Sequence, residues 1–279
     1  MTVSLEHRLP SHLKVEPSWA ARGRAEFDLG SWTGALLRTR GVERARLVSR
    51  SVPADSLRGE DLTHAACEVY LQALRELPGG PCRVWSFLPR PTERDSDTLD
   101  RYMRFNAGRT EAYARLSDRI QTMPAGTCVG HSGESLVVYA LWLDGPIASI
   151  ENPRQRPAWR YSHRFGPVPP AFSRAVRTEN LLLASGTAAV VGEDSMHLDQ
   201  LDAQFEETMR NLAALATAGG GDGSWRSVHV YVRNAADLER VQTLALHRFG
   251  DELERVLQAP ICRRELLLEI EGICHAGNT

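Results

Sequence analysis

The sequence predicts an α/β (α+β) protein made of two units side by side, each ordered β-α-β-α-β-β, with an irregular N-terminal segment. Three observations predict this. Four stretches carry apolar residues at helical spacing, short runs rich in Val, Leu and Tyr alternate with them, and the order found in residues 41–145 returns in 180–279. A chain of 279 residues is long enough to bury a substantial core without disulfide or metal staples.

Residues 1–40 show little periodicity and read as an irregular covering segment. ARLVSRSV (45–52) is the first strand. Asp61 is placed to cap a helix whose Ala65, Ala66, Val69, Tyr70, Ala73, Leu74 and Leu77 form one apolar stripe, ended by Pro78-Gly79-Gly80. CRVWSFLP (82–89) is a strand and 97–119 a helix, followed by two strands around the Ser132-Gly133 turn. Residues 146–179 hold six of the fifteen prolines together with Trp159, Tyr161, Phe165 and Phe172. Aromatic side chains are scarce in disordered linkers, so this connection is expected to be ordered and to cover a site or seam. After it come a strand pair or long bent strand over 180–192, a helix over 199–218, a strand over 227–233, a helix over 235–249 and two final strands.

Composition narrows the function. The net charge of -2 gives no general attraction to nucleic acid or membrane, and Lys14 is the only lysine, so an anion must be met by clustered arginine. No apolar run is long enough to span a bilayer and the N-terminus lacks a signal-peptide pattern, which predicts a cytoplasmic protein. The five cysteines show no CxxC pair or zinc-ligand spacing and read as free thiols, and no metal or other cofactor is expected. SGTAAVVGED has neither GxGxxG nor a GK[ST] ending, so it is not a nucleotide loop.

The stretch ICRRELLLEIEG (261–272) sets carboxylates inside an apolar strand. Glu269, among Leu266, Leu267, Leu268 and Ile270, is either a carboxylic acid kept protonated by burial or the partner of an arginine across the seam between the units. Glu271 shares its parity, as a partner, a like-charge perturber or an exposed end residue. Cys262 by itself reads as a small buried apolar residue, and it can share a pocket with Glu269 only if the chain bends between them.

The second unit, through SGTAAVVG, QFEETMRNLAAL, HVYVR and the closing LEIE, resembles the Rid/YjgF-like superfamily. Residues 80–275 resemble the chorismatase family through VWSFLPR, RYMRFNAGRTEAY, LVVYAL, IENPRQRPAWRY, LLLASGTAAVVG, VYVR and ICRRELLLEIEG. VWSFLPR departs from that family's W-N-Y-L-P, placing Ser86 where an asparagine is usual. The resemblance implies cleavage of chorismate, a small dianion, with release of pyruvate and without a cofactor. It implies that Arg154, Arg160, Tyr161 and Arg263 bind substrate, with Tyr139, Arg104, Arg109 and Arg233 as further candidates and Asn106 and Gln155 as neutral donors. Glu269 becomes the acid for the enolpyruvyl methylene carbon, and Cys262 with Gly186 points to 3-hydroxybenzoate as the ring product. The alternatives are a dihydroxycyclohexadienoate or 4-hydroxybenzoate product, a Rid-type imine or enamine deaminase, and a non-catalytic carboxylate-binding protein. A monomer is expected, because two fused units can cover each other's surfaces.

Overall fold

Caps and breakers set the observed boundaries in the computed structural model, which describes residues 45–53, 56–94 and 98–277. The first unit runs β1 (Ala45–Val52), α1 (Glu60–Arg75), β2 (Arg83–Phe87), α2 (Arg101–Arg115), β3 (Ala125–Val129) and β4 (Leu136–Leu143). Helix α1 begins after Gly59, whose φ of 50° suits a residue without a β-carbon. Asp61 therefore lies in the first turn, where its charge favours the helix dipole, and is not the cap. Helix α2 is shorter than the expected 97–119 because Asp100 caps it, accepting from Met103 N at 2.9 Å. The covering segment expected over residues 1–40 lies outside the described residues.

The second unit runs β5 (Ala148–Ile150), β6 (Ala175–Arg177), β7 (Leu181–Thr187), β8 (Val190–Val191), β9 (Asp194–Ser195), α3 (Leu201–Ala218), β10 (Gly221–Val232), α4 (Leu238–Phe249), β11 (Leu253–Gln258) and β12 (Leu268–Ala276). The proline-rich connection is not separate from this unit. Its β5 and β6 continue the sheet beyond β7, covering an edge that would otherwise expose unpaired backbone groups.

The two sheets repeat one topology. The first is ordered β1-β4-β2-β3 and the second contains β7-β12-β10-β11 in the same relation, with β2 parallel to β3 and β10 parallel to β11. The remaining pairings, β1 with β4, β2 with β4, β7 with β12 and β10 with β12, are antiparallel in both.

Side-chain alternation then stacks four layers. Val84 and Val138 pack with α1 and α2, while Trp85, Phe87, Tyr139 and Leu141 face the other way and meet Leu181, Leu183, Tyr231 and Ile273 of the second sheet. Leu182, Val230 and Ile270 point outward to α3 and α4. The sheets therefore lie face to face with helices outside, and odd positions of β12, including Glu269 and Glu271, turn into the layer between them.

Candidate active site

A carboxylate placed in an apolar layer must be satisfied there, and Glu271 is. Its Oε2 accepts from Arg83 at 2.5 Å and from the Thr127 hydroxyl. Its Oε1 accepts from Tyr231 at 2.8 Å and Trp85 Nε1 at 3.1 Å, with His229 Nδ1 at 3.4 Å. Burial alone would raise its pKa, but Arg83 and these donors outweigh burial and hold the carboxyl below its usual range. Glu271 is thus a fully buried, ionised carboxylate joining β2, β3, β10 and β12, not an exposed end residue.

Glu269, one strand repeat away, has the opposite environment. No hydrogen bond to its carboxyl is found among the described residues, and it faces a cavity of about 570 Å³. Burial, reinforced by the charge of Glu271, pushes its pKa up to about 8 against the pull of Arg83, Arg174 and Arg263. A β-carbon built on Gly186 would overlap Glu269 Oε1, so only glycine leaves the carboxyl its seat.

The cavity opens beside β3, the edge strand of the first sheet. Ser173 bridges one end of that strand and Ile261 the other, leaving Gly126 and Cys128 on the wall between. Strand β12 starts only at Leu268, so residues 260–267 turn instead of extending. Buried Gln204 fixes that turn, donating to Glu265 O at 2.9 Å and accepting from Leu267 N at 2.8 Å. The bend that the spacing demanded is present, and both Cys262 and Glu269 line the cavity. Burial, with Glu269 adding, pushes the Cys262 thiol up to about 12, so it is a neutral thiol and not a thiolate nucleophile.

Of the six arginines that line the cavity, Arg109, Arg174 and Arg263 alternate with aromatic rings. Arg109 lies 5.7 Å from the ring of Phe172, which is 5.2 Å from Arg174. Arg174 lies 5.6 Å from the ring of Tyr161, which is 5.0 Å from Arg263, and Arg263 lies 3.9 Å from the ring of Phe165. Their hydrogen bonds go to neutral acceptors: Arg109 to Asn106 Oδ1, Arg174 to Tyr161 OH and Arg156 O, Arg263 to Glu193 O and Ser195 Oγ. Among the described residues no carboxylate forms an ion pair with any of the three. Arg109 is only 2% exposed and Arg174 only 4%, and cations so buried call for an anion.

Glu269, Cys262, Gly186, Tyr161, Arg263 and Arg109 therefore meet in one cavity. Five expected residues do not line it. Arg154 is held by Glu207 at 2.5 Å and Asn211 at 2.9 Å, tying the connection to α3. Arg160 is exposed. Arg104 pairs with Glu60 at the start of α1, and Arg233 reaches Asn234 on the surface. Tyr139 lies in the inter-sheet core, edge-on to Phe87. Of the two neutral candidates, Asn106 lies behind the wall supporting Arg109, whereas Gln155 lines the cavity. Gln155 Nε2 donates to Val190 O at 3.2 Å, while its Oε1 is buried without a partner among the described residues.

Sequence reasoning missed Arg174, Tyr102 and Cys128. Tyr102 had a readable signal, since it lies seven residues before Arg109 and so on the same face of α2. Arg174 had none, because it precedes a strand of three residues, too short for periodicity.

Fold and site together define a class: a four-layer α/β protein whose edge cavity is lined by arginines and aromatic rings beside a buried carboxyl group. The family model described as chorismatase FkbO/Hyg5-like, N-terminal, matches residues 38–142. A 3-hydroxybenzoate synthase of Streptomyces hygroscopicus is 30% identical over 234 residues, 76% of this chain and 69% of that protein. A chorismatase of Streptomyces rapamycinicus is 32% identical over 209 residues, 68% of this chain and 63% of that protein. The crystal structure of a chorismatase superposes with a TM-score of 0.72 at 25% identity, covering 82% of this chain and 74% of that one. The chain belongs to the chorismatase family.

Proposed function

We propose that this protein cleaves chorismate to pyruvate and 3-hydroxybenzoate, with Glu269 as the acid. The observation that carries the reading is a buried carboxyl with a pKa raised to about 8, facing a cavity where, among the described residues, Arg109, Arg174 and Arg263 make no ion pair with a carboxylate. The substrate's two carboxylates supply the missing charge, bound through Arg109, Arg174 and Arg263 with Tyr161 packed between cations.

Protonation of the enolpyruvyl methylene carbon by Glu269 draws the double-bond electrons to that carbon and leaves an oxocarbenium ion at the ether carbon. Addition of an oxygen nucleophile there, and collapse of the resulting ketal or hemiketal, releases pyruvate. Chorismate divides atom for atom into pyruvate and a hydroxybenzoate, whereas a dihydroxycyclohexadienoate takes up one water. In this reading Cys262, a neutral thiol on the same wall as Glu269, and Gly186, which gives that acid its seat, steer the ring product to 3-hydroxybenzoate.

Incubating the purified full chain with chorismate tests the reading. Pyruvate and 3-hydroxybenzoate are expected in equal amounts, and absence of pyruvate would overturn it. Another ring product would overturn the subtype alone. Glu269→Gln is expected to lower kcat by roughly a hundredfold or more, the usual contribution of a general acid. The reading includes a cytoplasmic location, supported by five free cysteines, and a monomer, because the two units cover each other's inner sheet faces. Light scattering at one-chain mass is the expected result.

A further inference from the structure

Glu271 does not line the cavity, yet it occupies the position directly behind the acid. We propose that Glu271, fixed by Arg83 and Thr127, is a positioning residue that acts on proton transfer through Glu269 without touching substrate. The proposal rests on the reading of Glu269 as the acid.

Two features of the backbone connect the pair. Residues two apart on a strand point the same way, roughly 7 Å apart, so the carboxyl groups are neighbours on one face of β12. Opposite Glu271, β7 carries a bulge: Ile270 pairs with Thr187 and Gly272 with Ala184, so Ser185 and Gly186 together oppose one residue. That bulge places Gly186 against the Glu269 carboxyl. Gly186 N donates to Thr127 Oγ1 at 2.9 Å, Arg83 donates to the same oxygen at 2.5 Å, and the Thr127 proton goes to Glu271. One hydroxyl, with its donor and both acceptor sites committed, thus holds the Glu271 charge and the floor under Glu269 in fixed relation.

The surrounding charges give the coupling its sign. Glu271 favours the protonated form of Glu269, while Arg83 on β2, Arg174 beside β6 and Arg263 in the turn favour the ionised one. The other titratable groups close to Glu269 are Cys262, Tyr102 on α2, Cys128 on β3 and Tyr231 on β10, all raised by burial and therefore neutral near pH 8. Arg109 on α2 remains a cation, His229 on β10 contacts Glu271, and Arg94, Asp100, Arg164, Asp194, Arg264 and Glu265 line the same cavity.

The pH dependence of kcat on chorismate tests the proposal. In Glu271→Gln the alkaline limb is expected to fall by one pH unit or more. At pH 8 a one-unit fall cuts the protonated fraction of the acid about fivefold. Glu271→Asp retains the charge and is expected to keep the limb in place while lowering kcat. Should Glu271→Gln not fold, the double variant R83Q/E271Q leaves no unpaired buried charge, and its limb is expected between those of wild type and the single variant.

A folded Glu271→Gln or double variant whose limb stays put would overturn the proposal and leave Glu271 a purely structural ion-pair member. Carbon-13 NMR of side-chain-labelled glutamate, with Glu269 assigned by its loss in Glu269→Gln, reads the same titration without substrate. Failure of Glu269 as the acid therefore shows as retained turnover in Glu269→Gln, separately from failure of the coupling.

Discussion

Glu269 and Gly186 make a pair in which neither side chain can be understood alone. A glycine in the middle of a strand weakens it, and this one is kept where a β-carbon would strike the acid. Gly186→Ala is therefore expected to displace the carboxyl from the wall. With Glu269 in its proposed role as the acid, a displacement of about 1 Å is enough to cost roughly a hundredfold in rate. Kinetics on chorismate should show the loss in kcat with the fold intact by circular dichroism, and unchanged kcat would mean that Glu269 works from another position. Glu269 was legible because a carboxylate among leucines and isoleucine is unusual chemistry. The arginines were much less so: Arg154 and Arg263 stand in equally peculiar motifs, but Arg154 meets Glu207 and Arg263 meets only neutral acceptors, a difference made entirely by distant segments.

Helix α2 carries Tyr102 and Arg109 to the cavity, so its first turn positions cavity residues as well as starting the helix. Asp100 supplies the cap, and burial raises its carboxyl above the ordinary range. Asp100→Ala is expected to cost about 1 kcal/mol in denaturant unfolding and to raise KM, whereas Asp100→Asn, which caps nearly as well, should recover most of the stability. Equal losses for both substitutions would show that charge, not capping, is what the helix needs. The element order could be read because four amphipathic helices and the longer strands carry their periods in the sequence. The short strands β5, β6, β8 and β9, with two or three residues each, carry no period, and their pairing is decided by the free edge of β7 and the turn at Gly192. That is why the proline-rich stretch read as a connection, though it completes the second sheet.

Across the whole molecule, two units of one topology bury their inner sheet faces against each other, and that shared layer holds both carboxylates of β12. The two carboxylates then act on stability with opposite signs. Glu269 has a folded-state pKa of about 8, above the ordinary carboxylate value it regains on unfolding. A raised pKa means that the folded state binds the proton more tightly, so its contribution is complete below about pH 4 and is lost as pH rises through 8. The loss over that window is on the order of 5 kcal/mol. Glu271, held below its ordinary value, has the reverse sign and loses its contribution only as pH falls below the ordinary carboxylate range, so the two effects occupy different windows. Glu151, raised to about 7 by burial against the pull of Arg174, also contributes between them. It is common to wild type and Glu269→Gln and cancels in their difference. Urea unfolding of both proteins from pH 5 to 9 isolates the acid: the variant should match or trail the wild type at pH 5 and gain steadily until it is the more stable near pH 9. A difference that stays flat across that range would mean that Glu269 titrates alike folded and unfolded, and that the layer between the sheets does not hold its proton.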